Sequence, residues 1–581
     1  METVKVTIDG REVQVPKNST ILAAARAAGI EIPTLCYNED LDVKGMCRVC
    51  VVEVEGSRTL QTACSQPVSD GMVVHTNSAR VRQARRVNVE LLLSNHPQDC
   101  LSCIRNQRCE LQTLADQLGV RELRFPHRVR AEEKDISTPA LVRDPSKCIL
   151  CRRCVEVCHQ VQGVGALYPV NRGFDTTIAP AGGVDLGSVA CVQCGQCSLV
   201  CPVGAIYEQD HTERVWAALA DPDKHVVVQT APAIRVSIGE EMGLEPGAVT
   251  TGQMVAALRR LGFDKVFDTD FSADLTIMEE GHELLERLEK GGTLPMITSC
   301  SPGWIKYIEH FYPDLLPHLS TCKSPQQMFG ALAKTYYAEK AGIDPANIYV
   351  VSIMPCTAKK FECQRPEMTD SGYPDVDAVL TTRELGRMLR ESGIKFSDLP
   401  EEEYDDPLGI STGAGLIFGA TGGVMEAALR TVYEVVTGET LASLDFTDVR
   451  GLEGIKEAEV DLKGKKVKVA VAHGLGNARK LMDLINEGKA DYQFIEIMCC
   501  PGGCIGGGGQ PIPTTREIRQ KRINAIYRAD AGMPLRKSHE NPAVQTLYKE
   551  FLGKPLGEKS HHLLHTQYTK RVKYPEKAAE V

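Results

Sequence analysis

The sequence lacks any apolar run approaching the length needed to cross a bilayer, so no membrane partner is expected. It also lacks a secretory leader pattern, opening directly on Val4-Lys-Val-Thr-Ile8, and a cytoplasmic location is expected on that ground. Basic charge is not in excess. The formal net charge of -10 removes the electrostatic footprint of a nucleic-acid binder and leaves proteins and small molecules as partners. Two phosphate-binding patterns are incomplete. Val469-Ala-Val-Ala-His-Gly-Leu-Gly-Asn-Ala-Arg479 offers a strand, Gly-x-Gly and a helix but no third glycine, and Gly419-Ala-Thr-Gly-Gly423 lacks a phosphate-loop lysine. A nucleotide or flavin bound to this chain is therefore not expected.

What the 581 residues do have is 22 cysteines, most of them in short regular spacings, which in a reducing compartment points to metal ligands ahead of disulfides. A chain this long divides into roughly three to five domains. Residues 1–78 open on the alternating Val4, Val6, Ile8, turn at Asp9-Gly10 and resume with Val13 and Val15, a hairpin pattern. A helix is predicted over Ile21 to Ala28, with capping residues in Asn18-Ser-Thr20 and Gly29 behind it. Cys36, Cys47, Cys50 and Cys64 then supply four thiolates for a [2Fe-2S] cluster or a structural zinc. Residues 79–137 carry His96-x3-Cys100-x2-Cys103-x5-Cys109, a set that suits zinc or an iron-sulfur cluster.

Residues 138–209 contain Cys148-x2-Cys151-x2-Cys154-x3-Cys158 and Cys191-x2-Cys194-x2-Cys197-x3-Cys201-Pro202. This is the two-cluster ferredoxin pattern, in which the fourth cysteine of each run ligates the other cluster. Cys148, Cys151, Cys154 and Cys201 are expected on one [4Fe-4S] cluster, and Cys191, Cys194, Cys197 and Cys158 on the second. From residue 210 to 581 the pattern turns α/β. His225–Gln229, Ile348–Ile353 and Lys465–Ala472 read as buried strands and Gly252–Leu261 as an amphipathic helix, giving parallel sheets around a site.

Three cysteine loops punctuate that last unit: Thr298-Ser-Cys-Ser-Pro-Gly-Trp304, Met354-Pro-Cys-Thr-Ala-Lys-Lys360, and Met498-Cys-Cys-Pro-Gly-Gly-Cys-Ile-Gly-Gly-Gly-Gly-Gln-Pro511. Prolines stiffen the loops, and the glycines of the third allow backbone to approach closely whatever the thiolates hold. These loops resemble the three signature loops of the iron-iron hydrogenases, and the resemblance runs over nearly the whole chain. It implies a multidomain fold: a β-grasp [2Fe-2S] ferredoxin-like domain, a small His/Cys cluster domain, a two-[4Fe-4S] ferredoxin domain and an α/β hydrogenase domain. It also implies iron at all the accessory sites, with one [2Fe-2S] and three [4Fe-4S] clusters, His96 being a ligand of one. The active site would be an H-cluster, a [4Fe-4S] cluster bridged to a two-iron subsite carrying carbon monoxide, cyanide and a dithiolate.

Carried over by position, Cys356, Cys500 and Cys504 match ligands of the active-site cluster, Cys504 at the bridge, and Cys300 matches the proton relay. Ser301 stands where the family has its fourth cysteine ligand. Three solutions are open: the serine oxygen binds iron, the loop shifts so that Cys300 ligates, or Cys499, Cys322 or Cys363 substitutes. Glu280, Glu283 and Arg287 fall on one helical face. They match the family proton path, with Ser320 between the two glutamates, although a solvated face with a Glu283–Arg287 pair would look the same. Lys359 matches the lysine that contacts a cyanide, a cation suited to an anionic ligand. Met354, Met498 and Pro232 match residues that pack the subsite. The implied function is the catalytic subunit of a hydrogenase, interconverting hydrogen with protons and electrons. Because a pyridine-nucleotide site is lacking, we expect a multimeric NAD(P)-linked enzyme with a flavin- and NAD(P)-binding subunit and a small [2Fe-2S] subunit, ferredoxin being a further partner if the enzyme is electron-bifurcating; the rival within this class is a stand-alone ferredoxin-linked hydrogenase. The alternative is a non-catalytic hydrogenase-like electron carrier.

Overall fold

The computed structural model describes residues 2–129, 132–441, 443–462 and 465–573, so positions 574–581 of the expected catalytic unit lie outside the described residues. The predicted hairpin forms as strands Thr3–Ile8 and Arg11–Pro16, with Asp9 and Gly10 both at positive φ in the turn. Thr3–Ile8 also pairs in parallel with Met72–His75, and Val51–Val54 and Gln61–Thr62 complete a mixed five-stranded sheet. Helix Ile21–Ala27 covers it. The Thr20 hydroxyl caps that helix by accepting from the Ala23 amide at 3.2 Å, while Ile21, Leu22, Ala24 and Ala25 pack on Val4, Val6 and Ile8. Next, Val89, Leu111 and Leu114 of the His/Cys segment share a core with Leu141, Val155 and Ile206 of the ferredoxin segment. A segment that short gains its core from its neighbour.

The catalytic part is built on two sheets. Lys265–Asp268, His225–Thr230, Ile348–Met354 and Ala378–Thr381 run parallel, with Val228 between Val266 and Val351 in register. Val226, Val227 and Val228 are all buried, which is why the run is apolar without alternation. The second sheet orders Met296–Ile297, Phe494–Met498, Lys465–His473 and Ile455–Leu462, parallel except for the last. Between the two cores lies the 22-residue helix Thr269–Lys290, whose Phe271 and Leu275 join the first and Ala273, Ile277 and Leu284 the second.

The ferredoxin segment is docked onto the catalytic part by backbone contact. Gln196 Nε2 donates to the Gly506 carbonyl at 2.9 Å and Thr357 Oγ1 to the Gln193 carbonyl at 2.7 Å. A Cβ on Gly508 would lie 2.2 Å from the Cys194 carbonyl oxygen and 2.7 Å from Gly195 Cα, so only glycine permits this approach. Gly508→Ala is expected to cost about 1–3 kcal/mol by overpacking. The readout is the denaturant midpoint, with Gly532→Ala, where a Cβ meets nothing within 4 Å, as the unaffected control. The incomplete dinucleotide motif is also accounted for. Strand Lys465–His473 leads through Gly474 into helix Leu475–Asn486 as predicted, but the Leu475 amide donates to Gln162 Oε1 at 3.1 Å, and Gly476 sits under the Val161 carbonyl. The ferredoxin segment fills the place a phosphate would take.

Candidate active site

In open parallel sheets the residues that meet a ligand lie just past the carboxyl ends of the strands. Here His225–Thr230 leads to Pro232, Ile348–Met354 to Cys356, Met296–Ile297 to Cys300 and Ser301, and Phe494–Met498 to Cys499, Cys500 and Cys504. These loops from the two sheets close around one cavity. Its walls hold the thiols of Cys300, Cys356, Cys499, Cys500 and Cys504, the side chains of Ser301 and Lys359, and apolar packing from Pro232, Met354, Met498 and Phe418. None of these cysteines is in a disulfide. Several soft sulfur donors facing an apolar space fit an iron-sulfur group. Cys322 and Cys363 do not reach it, which corrects two of the substitutes considered for the fourth ligand. Cys322 lies against Glu283 with Sγ 3.9 Å from the carboxylate, and Cys363 donates to the Lys360 carbonyl at 3.3 Å.

Lys359 Nζ is fixed at the rim by three bonds: to the Cys300 carbonyl at 3.2 Å, Ser324 Oγ at 2.7 Å and Glu362 at 2.8 Å. Glu362, which the sequence reading missed, also accepts from Ser324 and Gln326 and so aims the lysine. Its signal was the i,i+3 spacing from Lys359.

Away from the cavity, the long helix carries Glu280, Glu283 and Arg287. Glu280 is buried, and that burial, with the Glu283 charge beside it, pushes its carboxyl up to about 8 against an opposing Ser320 hydrogen bond. The Cys300 thiol is held well above its ordinary range by burial first, then by the charges of Glu280 and Cys504. Ser320 Oγ donates to Glu283 at 2.9 Å, and Glu283 accepts from Arg287 at 2.6 Å. Arg287, half-buried, also donates to the Leu319 carbonyl at 2.6 Å. Glu280, Ser320, Glu283 and Arg287 are thus linked by hydrogen bonds, and Cys300 on the cavity wall lies near enough to feel the Glu280 charge. Glu279, also missed, lies on the flank of the same helix one turn before Glu283, where it accepts from Tyr548, Ser560 and the Leu556 amide and pairs with His565 at 3.1 Å. It anchors the C-terminal segment to this helix, a partnership that sequence distance hides.

The eight cysteines of the two ferredoxin runs gather into two groups. Cys148, Cys151, Cys154 and Cys201 line one cavity, and Cys158, Cys191, Cys194 and Cys197 another. Cys36 contacts Cys47, and Cys50 contacts Cys64. His96 is buried near Lys147 with Nδ1 unpartnered, and burial lowers its pKa, keeping the imidazole neutral as a ligand must be. Cys109 lies near Cys103 on the same segment.

Residues 224–508 match the iron only hydrogenase large subunit, C-terminal domain, and residues 516–571 the iron hydrogenase small subunit. Over 98% of this chain and 100% of the relative, the sequence is 55% identical to the NADP-reducing hydrogenase subunit HndD of Solidesulfovibrio fructosivorans. The chain belongs to the iron-only hydrogenases. Iron hydrogenase 1 of Clostridium pasteurianum is 42% identical over 97% of this chain and 100% of its own length. A single-residue variant of the apo [FeFe]-hydrogenase HydA1 from Chlamydomonas reinhardtii superposes with a TM-score of 0.57 at 49% identity, covering 62% of this hydrogenase and 99% of that chain. Accessory regions match too: a 2Fe-2S iron-sulfur cluster binding domain at 1–79, an NADH-ubiquinone oxidoreductase-G iron-sulfur binding region at 85–124 and a 4Fe-4S dicluster domain at 147–205. This hydrogenase is therefore a multidomain oxidoreductase acting on hydrogen, with [2Fe-2S], [4Fe-4S] and H-cluster sites, and the electron-carrier alternative is not favoured. Among the described residues no helix is long and apolar enough to cross a membrane.

Proposed function

We propose that this chain is the hydrogen-activating subunit of a cytoplasmic, multimeric, NAD(P)-linked and electron-bifurcating hydrogenase. The two-iron subsite, when bound, supplies the metal at which hydrogen is split or formed. Cys356, Cys500 and Cys504 would hold the active-site cluster. Lys359 would meet the anionic cyanide, and Pro232, Met354 and Met498 would keep water out. Cys300 would exchange a proton with the subsite and pass it through Glu280, Ser320 and Glu283 to Arg287 at the surface. A neutral thiol and a carboxyl near 8 suit carriers that hold a proton at ordinary pH and still release it. The observation that carries this reading is that Glu280, Ser320, Glu283 and Arg287 are linked by hydrogen bonds, with Cys300 on the cavity wall near enough to feel the Glu280 charge.

Cys191, Cys194, Cys197 and Cys158, then Cys148, Cys151, Cys154 and Cys201, then His96 with Cys100, Cys103 and Cys109, and Cys36, Cys47, Cys50 and Cys64 would hold the accessory clusters, which would supply sites for electrons between the active site and the protein surface. From there electrons would pass to a flavin- and NAD(P)-binding subunit, a small [2Fe-2S] subunit and ferredoxin. The full-length similarity to a subunit named NADP-reducing supports that destination. The test is affinity purification from the native host: a stable flavin-containing complex that reduces NAD(P) with hydrogen is expected, with the isolated chain unable to do so. A monomer fully active with ferredoxin alone would overturn the multimeric reading.

A further inference from the structure

The geometry points to Cys499 as the fourth thiolate of the active-site [4Fe-4S] cluster, replacing a ligand at Ser301. This inference rests on the H-cluster reading above. Ser301 precedes helix Pro302–Phe311, and its Oγ accepts from the Cys499 amide at 3.2 Å, which occupies one of its two lone pairs and holds the two loops side by side. Cys300 keeps the relay position assigned to it above, its carbonyl accepting from Lys359 Nζ at 3.2 Å. With Cys322 and Cys363 outside the cavity, Cys499 is the one remaining thiol on its wall among the described residues.

The fold makes room for that thiol. An ideal Cβ on Gly303 would stand 2.6 Å from Cys499 Sγ and 3.3 Å from its Cβ, so the sulfur occupies the space that a side chain in the first turn of the helix would take. Cys499 is only 3% exposed. Its sulfur is in hydrogen-bond contact with those of Cys500, an active-site cysteine, and Cys194, an accessory-cluster cysteine. Serine in the first loop and cysteine in the third are thus adjacent in space, and the thiolate has moved from one to the other. On ligation the Cys499 thiol gives its proton to solvent and the thiolate donates a lone pair to iron, with no change in oxidation state. The ligand so formed touches Cys194, placing it on the path between the two clusters.

The test uses full-length protein produced with cluster assembly but without the maturation that adds the two-iron subsite. Iron and sulfide per chain are measured together with Mössbauer and electron paramagnetic resonance spectra of the reduced protein. Cys499→Ala is expected to lose about one [4Fe-4S] equivalent while the [2Fe-2S] and accessory [4Fe-4S] signals persist. Ser301→Ala and Cys300→Ala are expected to keep it, and Cys499→Ala with Ser301→Cys to regain it. A cluster retained unchanged in Cys499→Ala, or lost in Ser301→Ala or Cys300→Ala with accessory signals intact, would overturn the inference alone. Wild-type protein holding only the accessory clusters would overturn the H-cluster reading and this inference with it.

Discussion

Glu280→Gln is expected to lower hydrogen turnover by about 10²-fold or more, the scale on which a positioned proton carrier contributes, while the iron content stays that of the wild type. Glutamine keeps the shape and the Ser320 contact but cannot carry a proton. The loss should fall on kcat and be equal for hydrogen oxidation and production, because both directions use one wire. Glu280→Asp should recover part of the rate, since the acid is present but set back by one methylene. Stability gives a second readout. The folded carboxyl sits at about 8 against an ordinary 4.5. Its contribution is therefore fully present below pH 4.5 and is lost as pH rises through 8. Relative to wild type, Glu280→Gln should gain stability across that window and not below it. Denaturant titrations at both ends check the sign, and equal pH slopes in the two proteins would remove Glu280 from the account.

Arg522→Ala is expected to cost about 3–5 kcal/mol, because it leaves a paired charge without its partner. Arg522 is fully buried and clasps Glu240 through Nε at 2.7 Å and Nη2 at 2.6 Å. Its Nη1 donates to the Ile505 carbonyl at 2.7 Å, beside Cys504. The segment matching the small subunit thus clamps the third cysteine loop. Loss of the clamp should release active-site iron during mild chelation before the accessory clusters are affected. Arg522→Lys, which keeps the charge but not the fork, should fall between. The measurements are the free energy of denaturant unfolding and the order in which cluster signals disappear. Simultaneous loss of all clusters would show a global effect and no clamp.

The parts of this molecule that could be read in the sequence were those where chemistry imposes spacing. The two C-x2-C-x2-C-x3-C runs were enough to predict that Cys201 would join Cys148, Cys151 and Cys154, as it does in space. The buried strands His225–Thr230 and Ile348–Met354 announced themselves through short runs rich in valine and isoleucine without strict alternation. Helix Thr269–Lys290 was visible through Glu280, Glu283 and Arg287 at helical spacing. What sequence could not supply were partners brought together by the fold: Glu279 with Ser560 and His565, Arg522 with Glu240, or Cys499 beside Cys194. The choice among Cys499, Cys322 and Cys363 was of this kind. All three are buried cysteines in the same domain, and only the arrangement of strand ends puts one on the cavity and the others behind it.

The most direct test of the central claim is an infrared spectrum of anaerobically purified, fully matured protein before and after exposure to hydrogen. The account predicts carbonyl and cyanide bands that shift when hydrogen is admitted. Their absence, in protein whose accessory clusters are intact and whose maturation succeeds on a control hydrogenase, would contradict it.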